Sequence, residues 1–392
     1  MKILYVCHGS LPSPHTDTEQ ILQTLAHLTR QGVDVDLIFP NPPRETRPLS
    51  ERQGEIAAFY GLSSQTFGQG LRLLEFPLPG WLKGNVRRGG FALCAAHYSR
   101  GRGYDLVYTR DLFPLWACLM AGTPVVYETY RVDINTRRRF YPWRKICYTR
   151  PNLLGVVTHS RLAQQAFVRA GFDERRTLLA YNGFALQTMQ PVLSREEARR
   201  RNDLPPHRKI VVYTGQVNPN KGLEVLLSIA AQLPEVLFLI VGGIPHLPQT
   251  QAFQRRIEAD RLVNVRMVPR VPPAQVASYL YAADCLIIPP TAAPLYRYGR
   301  TVLPIKTFLY LAAGRPIVAP DLMDVREVLR DGHNALLTPP DAPQKSAAVI
   351  DALLRDGPLQ ERLARNARRD AQNYTWDCRA TRIAAFLRQR VA

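Results

Sequence analysis

Short apolar runs alternate with helix-like segments along nearly the whole chain, and this rhythm limits the available folds more than any other feature. The runs are rich in Val, Ile and Leu and lack polar alternation, as expected of strands buried on both faces of a parallel sheet. Helical spacing of apolar residues follows each run, which predicts repeated βαβ units. In the first half the runs are KILYVC, VDVDLIF, DLVYT, PVVYE and LLGVVTH.

The rhythm restarts in the second half, after a polar and charged segment at residues 186–208. The sequence therefore predicts an α/β protein with two Rossmann-like domains, which we place at residues 1–190 and 205–374. Because ligands bind beyond the carboxyl ends of parallel strands, we expect a cleft where the two domains face each other. The runs of the second half are KIVVYTG, VLFLIVGG, NVRMVPRV, DCLIIPP and RPIVAP.

The chain carries a strong positive charge. Its 392 residues include 51 Lys and Arg against 32 Asp and Glu, which gives a formal net charge of +19. A field of this size favours anionic partners. The excess is spread over both halves, and the sequence contains no nucleic-acid recognition module, so we do not expect nucleic acid to bind.

The cysteines and the apolar stretches bear on the compartment. The six cysteines are scattered, without a C-x-x-C pair or a Cys/His cluster, so we expect reduced thiols and no structural metal. No window of about 18 consecutive apolar residues occurs, and the first residues lead directly into a strand pattern without a basic leader. We therefore expect a cytoplasmic protein without a membrane span.

The densest basic patch lies at residues 131–150. It contains seven Lys and Arg and one acidic residue, together with Phe140, Tyr141, Trp143 and Tyr148. Cations mixed with aromatic residues are typical of segments that bind anionic lipid headgroups or a phosphorylated substrate. A solvated helix face with aromatic anchors to the core is the alternative. On the first interpretation the protein is peripheral at the inner face of the membrane.

The loop after the first strand of the second half is a candidate phosphate site. The strand ends at Gly215, the loop YTGQVNPNKG follows, and a helix begins near Lys221. Free N–H groups and the positive dipole end of a helix favour anions, and Lys221 adds a full charge. An ordinary surface lysine in a βα turn is the alternative interpretation. The segment is neither a dinucleotide-binding G-x-G-x-x-G nor a P-loop.

A second candidate is the stretch TVLPIKTFLYLAAGRPIVAP at residues 301–320. Pro304 suits the first turn of a helix, and Gly314 suits its end before the strand PIVA. Leu309 shares an apolar stripe with Ile305 and Phe308, so a well-capped core helix explains the pattern without any ligand.

Taken in order, several segments resemble the retaining glycosyltransferases of family 4, which have the GT-B fold. The resemblance runs over nearly all of the chain. The segments that carry it are GVVTHS, YNGF, YTGQVNPNKGLEVLL, VGGIP, AADCLIIPP, IKTFLYLAAGRPIVAP, VREVLRDGHNALL and YTWDCRATRIAAFL.

The resemblance implies an enzyme that moves a sugar from a nucleotide donor to a glycan or lipid-linked acceptor with retention of configuration. The donor, a UDP- or GDP-sugar, would be held by the second domain as a substrate, and the acceptor by the first. No cofactor or metal would be bound permanently. The resemblance also implies that the last helix, residues 375–392, packs back on the first domain.

The same resemblance assigns residues to the donor. The turn after the first strand of the second domain would meet the diphosphate, the loop and helix start near residue 301 would cradle it, and the base would lie near the end of VGG. These assignments cover Gly215, Gln216, Lys221, Gly243, Arg270, Val271, Thr301, Leu303, Pro304, Lys306 and Thr307.

The chain departs from the family at residues that carry chemistry. Gln216 stands where an arginine is expected, and Thr301 and Leu309 stand where a Glu-x7-Glu pair is expected. In PVVYETY, Tyr130 replaces a histidine that commonly follows the acid, here Glu128. We assign catalytic roles to Glu128, Tyr130 and Lys221. A catalytically degenerate protein that acts as a binding or scaffolding partner is the alternative.

The loop after the first strand of the chain is the candidate acceptor side. Ser10 and Thr18 are its weak candidates, whereas Asp17 is interpreted as a helix cap. His8 and His15 also lie there, but the sequence reveals no partner for either, so we interpret them as structural.

Overall fold

The computed structural model describes residues 1–13, 16–42, 45–68, 70–130, 146–293 and 303–391. The chain divides into two compact units. Unit 1 comprises Met1–Tyr181 together with Trp376–Ala392, and unit 2 comprises Asn182–Thr375. Most of the basic segment 131–150 lies outside the described residues, as do Thr301 and His15.

Unit 1 is built on a sheet of seven described strands, all parallel, in the order β3-β2-β1-β4-β5-β6-β7. Its central strands are buried along almost their full length, as the unbroken apolar runs predict. The strands are β1 (Lys2–Val6), β2 (Asp34–Pro40), β3 (Leu71–Phe76), β4 (Leu106–Thr109), β5 (Val125–Thr129), β6 (Leu153–Thr158) and β7 (Thr177–Leu179).

Helices cover both faces of this sheet, and two separate clusters of buried apolar side chains fill the space between helices and sheet. The described helices of the first stretch of unit 1 are α1 (Thr16–Arg30), α2 (Leu49–Phe59), α3 (Gly84–Ser99), α4 (Leu112–Met120) and α5 (Arg161–Arg169).

Unit 2 repeats the plan with six described parallel strands in the order β10-β9-β8-β11-β12-β13. The predicted α/β architecture with two parallel, Rossmann-like sheets is thus confirmed. The strands are β8 (Ile210–Thr214), β9 (Leu237–Gly243), β10 (Val265–Pro269), β11 (Cys285–Ile287), β12 (Ile317–Pro320) and β13 (Leu336–Thr338). The described helices are α6 (Arg195–Arg201), α7 (Leu223–Ala230), α8 (Pro248–Ala259), α9 (Pro273–Ala282), α10 (Lys306–Ala313), α11 (Pro343–Arg355) and α12 (Gly357–Ala371).

The polar segment between the two apolar halves folds as part of unit 2. Helix α6 lies within it, and buried Arg199 donates to the carboxylate of Asp284 at 2.6 Å. Asp284 also accepts from Arg195 at 2.7 Å. The hydroxyl of Tyr281 donates to the carbonyl of Met189 at 2.8 Å. These buried polar contacts hold the segment against α9.

Helix α10 differs in detail from the sequence prediction. It begins at Lys306, so Pro304 lies just before the first turn, and Gly314 ends it in a left-handed conformation with φ 58°. Phe308 is buried, but the buried face also includes Thr307 and Tyr310, whereas Leu309 is only half-buried. The hydroxyl of Tyr310 accepts from the backbone N–H of Thr214 at 2.8 Å, and this contact turns the face toward β8.

The last helix of the chain, α13 (Trp376–Val391), completes the core of unit 1. Ile383, Ala384 and Leu387 are buried among the residues of β1, β2 and α1. Phe386 lies against Gly155 of β6, where a β-carbon would be 2.5 Å from the ring. None of the described helices is long and apolar enough to cross a bilayer.

Adding one methyl group at Gly155 should therefore disturb the packing of α13 against β6. We expect Gly155→Ala to lower the free energy of unfolding by about 1–3 kcal/mol, because the added carbon would overlap the buried ring of Phe386 and lie 3.0 Å from the backbone oxygen of Arg176. Gly54→Ala, in the exposed interior of α2, is the matched control and should be neutral or stabilising by about 0.5–1 kcal/mol. Urea unfolding of both variants tests the packing, and equal effects would contradict it.

Candidate functional site

In unit 1 the strand order reverses between β1 and β4, which lie side by side while their connections run in opposite directions. Such a point opens a crevice at the carboxyl ends of the two strands, where ligands bind in open parallel sheets. His8 follows β1 and Asp111 follows β4. The topology therefore brings together two residues that are 103 positions apart.

His8 and Asp111 form a close pair at this crevice. The carboxylate of Asp111 accepts from the backbone N–H of His8 at 2.9 Å and from its Nδ1. Asp111 is itself held by a hydrogen bond from its N–H to the hydroxyl of Thr109 at 3.1 Å. The imidazole is 31% exposed. Among the described residues, no hydrogen bond to its Nε2 is found.

The partner raises the pKa of His8. Burial alone would lower it, but the hydrogen bond and the charge of Asp111 raise it above the ordinary value of 6.5. Arg88 of α3 lowers the pKa, and Asp17 of α1 raises it. His8 was interpreted from the sequence as structural because its carboxylate partner lies in another βα unit. Only the strand order could have pointed to the pair.

Glu128 lies at the end of β5 inside a buried cluster of charges. One carboxylate oxygen accepts from the hydroxyl of Tyr108. The other accepts from Nε2 of His159 at 2.7 Å and from the guanidinium of Arg379 at 2.9 Å. Glu128 is 2% exposed, so this geometry makes it an internal anchor for β4, β6 and α13.

The cluster fixes the protonation of its members. Burial would raise the pKa of Glu128, but Arg379, His159 and Arg110 together hold it well below its ordinary value. Burial lowers the pKa of His159 to about 4, so its imidazole is neutral at neutral pH. Gln20 lies 3.2 Å from both ring nitrogens and donates to the one that faces away from Glu128.

The other sequence candidates of unit 1 lie around these two groups. The half-buried ring of Tyr130 stacks near His159, with centroids 6.2 Å apart, and receives the guanidinium of Arg110 at 5.5 Å. The hydroxyl of Ser10 donates to the carbonyl of Asn41 at 3.3 Å. Thr18 is buried, and its hydroxyl lies near Gly9.

Asp17 lies within the first turn of α1 rather than at the N-cap, because the helix already begins at Thr16. Its carboxylate accepts from the N–H of Thr18 at 3.0 Å.

Unit 2 has its own reversal of strand order, between β8 and β11. The loop after β8 and the start of α10 meet there. The ammonium of Lys306 lies over the ring of Tyr213 at 3.7 Å from its centroid. A β-carbon on Gly215 would be 2.8 Å from Lys306 Nζ, so the side chain of Lys306 occupies the space that a residue other than glycine would need there. Two sequence candidates, Gly215 and Lys306, are thus brought together.

A second lysine, Lys221, lies near enough to this site for its charge to act on Lys306. Lys221 ends a short 3₁₀ turn, Pro219–Lys221, directly before α7. Burial, and then the charge of Lys221, lower the pKa of Lys306 well below its ordinary value of 10.5. Burial and the neighbouring positive charge therefore disfavour the charged form of Lys306, and an anion bound beside it would favour that form again.

Glycines allow the backbone to come close at this site. Gly215 has φ 139° and Gly242 has φ 126°. A β-carbon on Gly242 would lie 2.5 Å from the carbonyl oxygen of Gly215, so the end of β9 and the start of the loop after β8 approach backbone to backbone. Gly222 has φ 70°, and a β-carbon there would strike Thr291.

The remaining donor candidates line the same edge of unit 2. The N–H of Arg270 donates to the carbonyl of Gly243 at 2.8 Å, and Val271 follows directly. Gly243 also borders a cavity of about 380 Å³ between α8 and β10. Gln216 presents its carbonyl to the hydroxyl of Tyr213 at 3.0 Å.

The loop before α10 and the first turn of that helix contribute one buried candidate each. Leu303 is buried, and Thr307 is buried with a hydroxyl that has no hydrogen-bond partner in the described part of the chain. The N–H of Thr307 donates to the carbonyl of Pro304 at 3.0 Å. Thr301 lies outside the described residues, and so do Arg297 and Arg300.

Comparison with known proteins covers both units. Residues 194–370 match the family model described as "Glycosyl transferases group 1", and residues 19–188 match "Glycosyltransferase Family 4". A D-inositol 3-phosphate glycosyltransferase of Corynebacterium efficiens is 26% identical over 93% of this chain and 88% of its own length. A phosphatidyl-myo-inositol mannosyltransferase of Mycobacterium tuberculosis is 32% identical over 47% of this chain and 48% of its own.

Solved structures share the fold. Anabaena Alr3699/HepE, in complex with UDP and glucose, aligns with a TM-score of 0.72 and 21% identity, covering 99% of both chains. A sucrose-phosphate synthase from Thermosynechococcus elongatus aligns with a TM-score of 0.75 and 18% identity, covering 99% of this chain and 98% of its own. These alignments confirm the expected GT-B fold.

The His8 pair gives a prediction about pH. We expect His8 to titrate above pH 6.5 by NMR and Asp111→Asn to lower its pKa, because burial and Arg88 are then opposed only by the weaker effect of Asp17. The stability that the pair contributes should be complete below the unfolded pKa and should be lost as pH rises through the folded pKa. Asp351→Asn, an exposed change in α11, is the control. If Asp111→Asn leaves the pKa of His8 unchanged, the pairing is contradicted.

The buried charge cluster gives a prediction about stability. Arg379→Ala should lower the free energy of unfolding by about 3–5 kcal/mol, because it leaves the carboxylate of Glu128 buried without its principal cation. Arg382→Ala, an exposed arginine of the same helix, should change it by less than about 0.5 kcal/mol. Urea denaturation measures both. Similar losses for the two variants would show that the cluster does not hold α13 in place.

Proposed function

Since the chain belongs to the group 1 glycosyltransferases of family 4, we propose that it transfers a sugar from a UDP- or GDP-sugar to a lipid-linked or glycan acceptor. Retention of the anomeric configuration follows from the resemblance to the family. The diphosphate would bind in unit 2 between Lys221, Lys306 and the backbone of Gly215. The acceptor would bind at the carboxyl edge of the sheet of unit 1.

The observation that carries the proposal is the pair of lysines. Lys306 Nζ lies beside Gly215 in the loop after β8, and the positive charge of Lys221 acts on it. When the bond between the anomeric carbon and the phosphate oxygen breaks, the electron pair stays on the diphosphate. Two fixed ammonium groups at that point would stabilise the developing charge. This supports a role for the site in both binding and departure of the leaving group.

Relatives and neighbours guide the choice of substrates. The Anabaena structure of the same fold contains UDP and glucose, which makes uridine nucleotides the first donors to test. The names of two relatives contain D-inositol 3-phosphate and phosphatidyl-myo-inositol, which supports a phosphate-bearing or lipid-linked polyol as the acceptor. A lipid acceptor agrees with our proposal of a cytoplasmic enzyme at a membrane surface. Contact through the basic segment 131–150 also stays a proposal.

The roles proposed for individual residues follow from their surroundings. Because Glu128 is buried and saturated with donors, we propose that it positions β5 and Tyr130 rather than touching the sugar. Tyr130 is half-buried directly after β5, and the catalytic role assigned to it from the sequence stays a proposal. His8 is titratable and partly exposed, and we therefore prefer it to the buried Thr18 as the candidate on the acceptor side.

A binding or scaffolding protein without transferase activity is the second candidate. Leu309 is half-buried and apolar where the family has a carboxylate, and Gln216 lacks the charge of the family's arginine. Each such loss removes a charge-assisted hydrogen bond of about 1.5–3 kcal/mol. Incubation with radiolabelled UDP-glucose and extracted glycolipid separates the candidates. Release of UDP with labelled lipid supports transfer, whereas tight nucleotide binding without turnover supports the second candidate.

The lysines also give a quantitative prediction. Lys221→Ala and Lys306→Met should each weaken binding of the preferred nucleoside diphosphate at least tenfold, a loss of about 1.4 kcal/mol, because each removes a cation from the anion site. Lys209→Ala, an exposed lysine just before β8, should leave the affinity unchanged. Calorimetric titration with UDP, GDP and ADP provides the measurement. Wild-type affinity in both folded variants would place the diphosphate elsewhere.

A further inference from the structure

Helix α3 and the loop before it expose large apolar side chains in unit 1. Trp81 is 77% exposed, Val86 68% and Leu93 58%. Val86 and Leu93 are seven residues apart, two turns of helix, and so they lie on one side of α3. The opposite side is buried against the core through Phe91 and Ala95. The helix is therefore amphipathic, but part of its solvent side is apolar.

The charge of this surface has a single sign. No Asp or Glu occurs between Glu75 and Asp105, whereas the interval contains five lysines and arginines. Lys83 at the start of α3 and Arg100 just after its end are exposed, at the two ends of the apolar side. We call Trp81, Lys83, Val86, Leu93 and Arg100 the α3 surface. It combines exposed apolar side chains with two cations for which the described part of the chain offers no ion pair.

The α3 surface is fastened to the edge of the sheet that carries the acceptor-side candidates. The guanidinium of Arg87 donates to the carbonyl of Pro79 at 3.2 Å and to that of Asn41 at 2.7 Å. The same Asn41 carbonyl accepts from Ser10 in the loop after β1. Arg87 therefore holds the Trp81 loop at the carboxyl end of β2, next to the crevice of His8 and Asp111.

We propose that the α3 surface docks this protein on a bilayer that contains anionic lipids. Tryptophan, Val and Leu would enter the headgroup boundary, while Lys83 and Arg100 would meet lipid phosphates. A second copy of this chain fits the surface poorly, because its own α3 surface would oppose cation with cation. The inference rests on the proposed lipid-linked acceptor and names the surface that would bring unit 1 to it.

The test uses sedimentation of the full chain with vesicles, without nucleotide or acceptor. We expect binding to phosphatidylcholine vesicles that contain phosphatidylglycerol and little binding to phosphatidylcholine alone. Trp81→Ser and Leu93→Ser should each reduce the partition coefficient about tenfold, and Lys83→Gln with Arg100→Gln by a similar factor that shrinks as salt is added.

Matched controls lie in unit 2. Val263 is 91% exposed, so Val263→Ser removes an equally accessible apolar side chain elsewhere. Lys345→Gln with Arg362→Gln removes the same charge from exposed positions. Neither control should change vesicle binding. In the wild-type protein, tryptophan fluorescence should shift to shorter wavelength with anionic vesicles, and Trp81→Phe should abolish most of the shift.

Three outcomes would overturn the proposal. If all variants of the α3 surface bind vesicles as well as the wild-type protein does, another region, such as residues 131–150, makes the membrane contact. Equal binding to both vesicle types would remove the role of anionic lipid. Loss of a dimer in Trp81→Ser on analytical ultracentrifugation would make the surface a protein interface. None of these measurements involves nucleotide. A negative vesicle result therefore does not contradict sugar transfer, and a negative nucleotide-binding result does not contradict membrane docking.

Discussion

The ion pair between Glu128 and Arg379 is the contact on which the rest of unit 1 depends. It joins the end of β5 to the last helix of the chain, and the same guanidinium donates to the carbonyl of Tyr181 at 2.9 Å. Burying two charges is costly unless each finds good partners. Here Tyr108 and His159 complete the shell of the carboxylate. The cluster therefore favours one arrangement of β4, β5, β6 and α13. That arrangement sets the positions of the loops at the carboxyl ends of these strands.

Both units concentrate their chemistry where the strand order reverses. In unit 1 the reversal pairs His8 with Asp111, and in unit 2 it brings Lys306 to the loop of Gly215. Each pair joins residues from separate βα units at the carboxyl edge of a parallel sheet. The two sites differ in character, because the first holds an imidazole beside a carboxylate and the second holds cations beside bare backbone. The difference is the basis of our proposal that unit 1 binds the acceptor and unit 2 the diphosphate.

Much of the fold was predictable because it depends on local pattern. Unbroken apolar runs identified strands buried on both faces, and Gly314 marked the end of α10. The buried face of α10 was predicted less well, since Tyr310 turns inward to bond Thr214, almost a hundred residues away. The partner of His8 was missed for the same reason. Contacts between distant βα units leave no periodic signal, so resemblance to a family supplied the donor residues instead.

The position of α13 has a consequence for the order of events at the ribosome. Unit 2 is one continuous stretch, Asn182–Thr375, and can finish its core as soon as it emerges. Unit 1 begins first but lacks Ile383, Leu387 and Arg379 until the final residues are made. Domains generally fold as units during synthesis. The nascent first stretch of unit 1 must therefore wait with an open core and with Glu128 lacking Arg379, so the unit whose synthesis starts first is the last to mature.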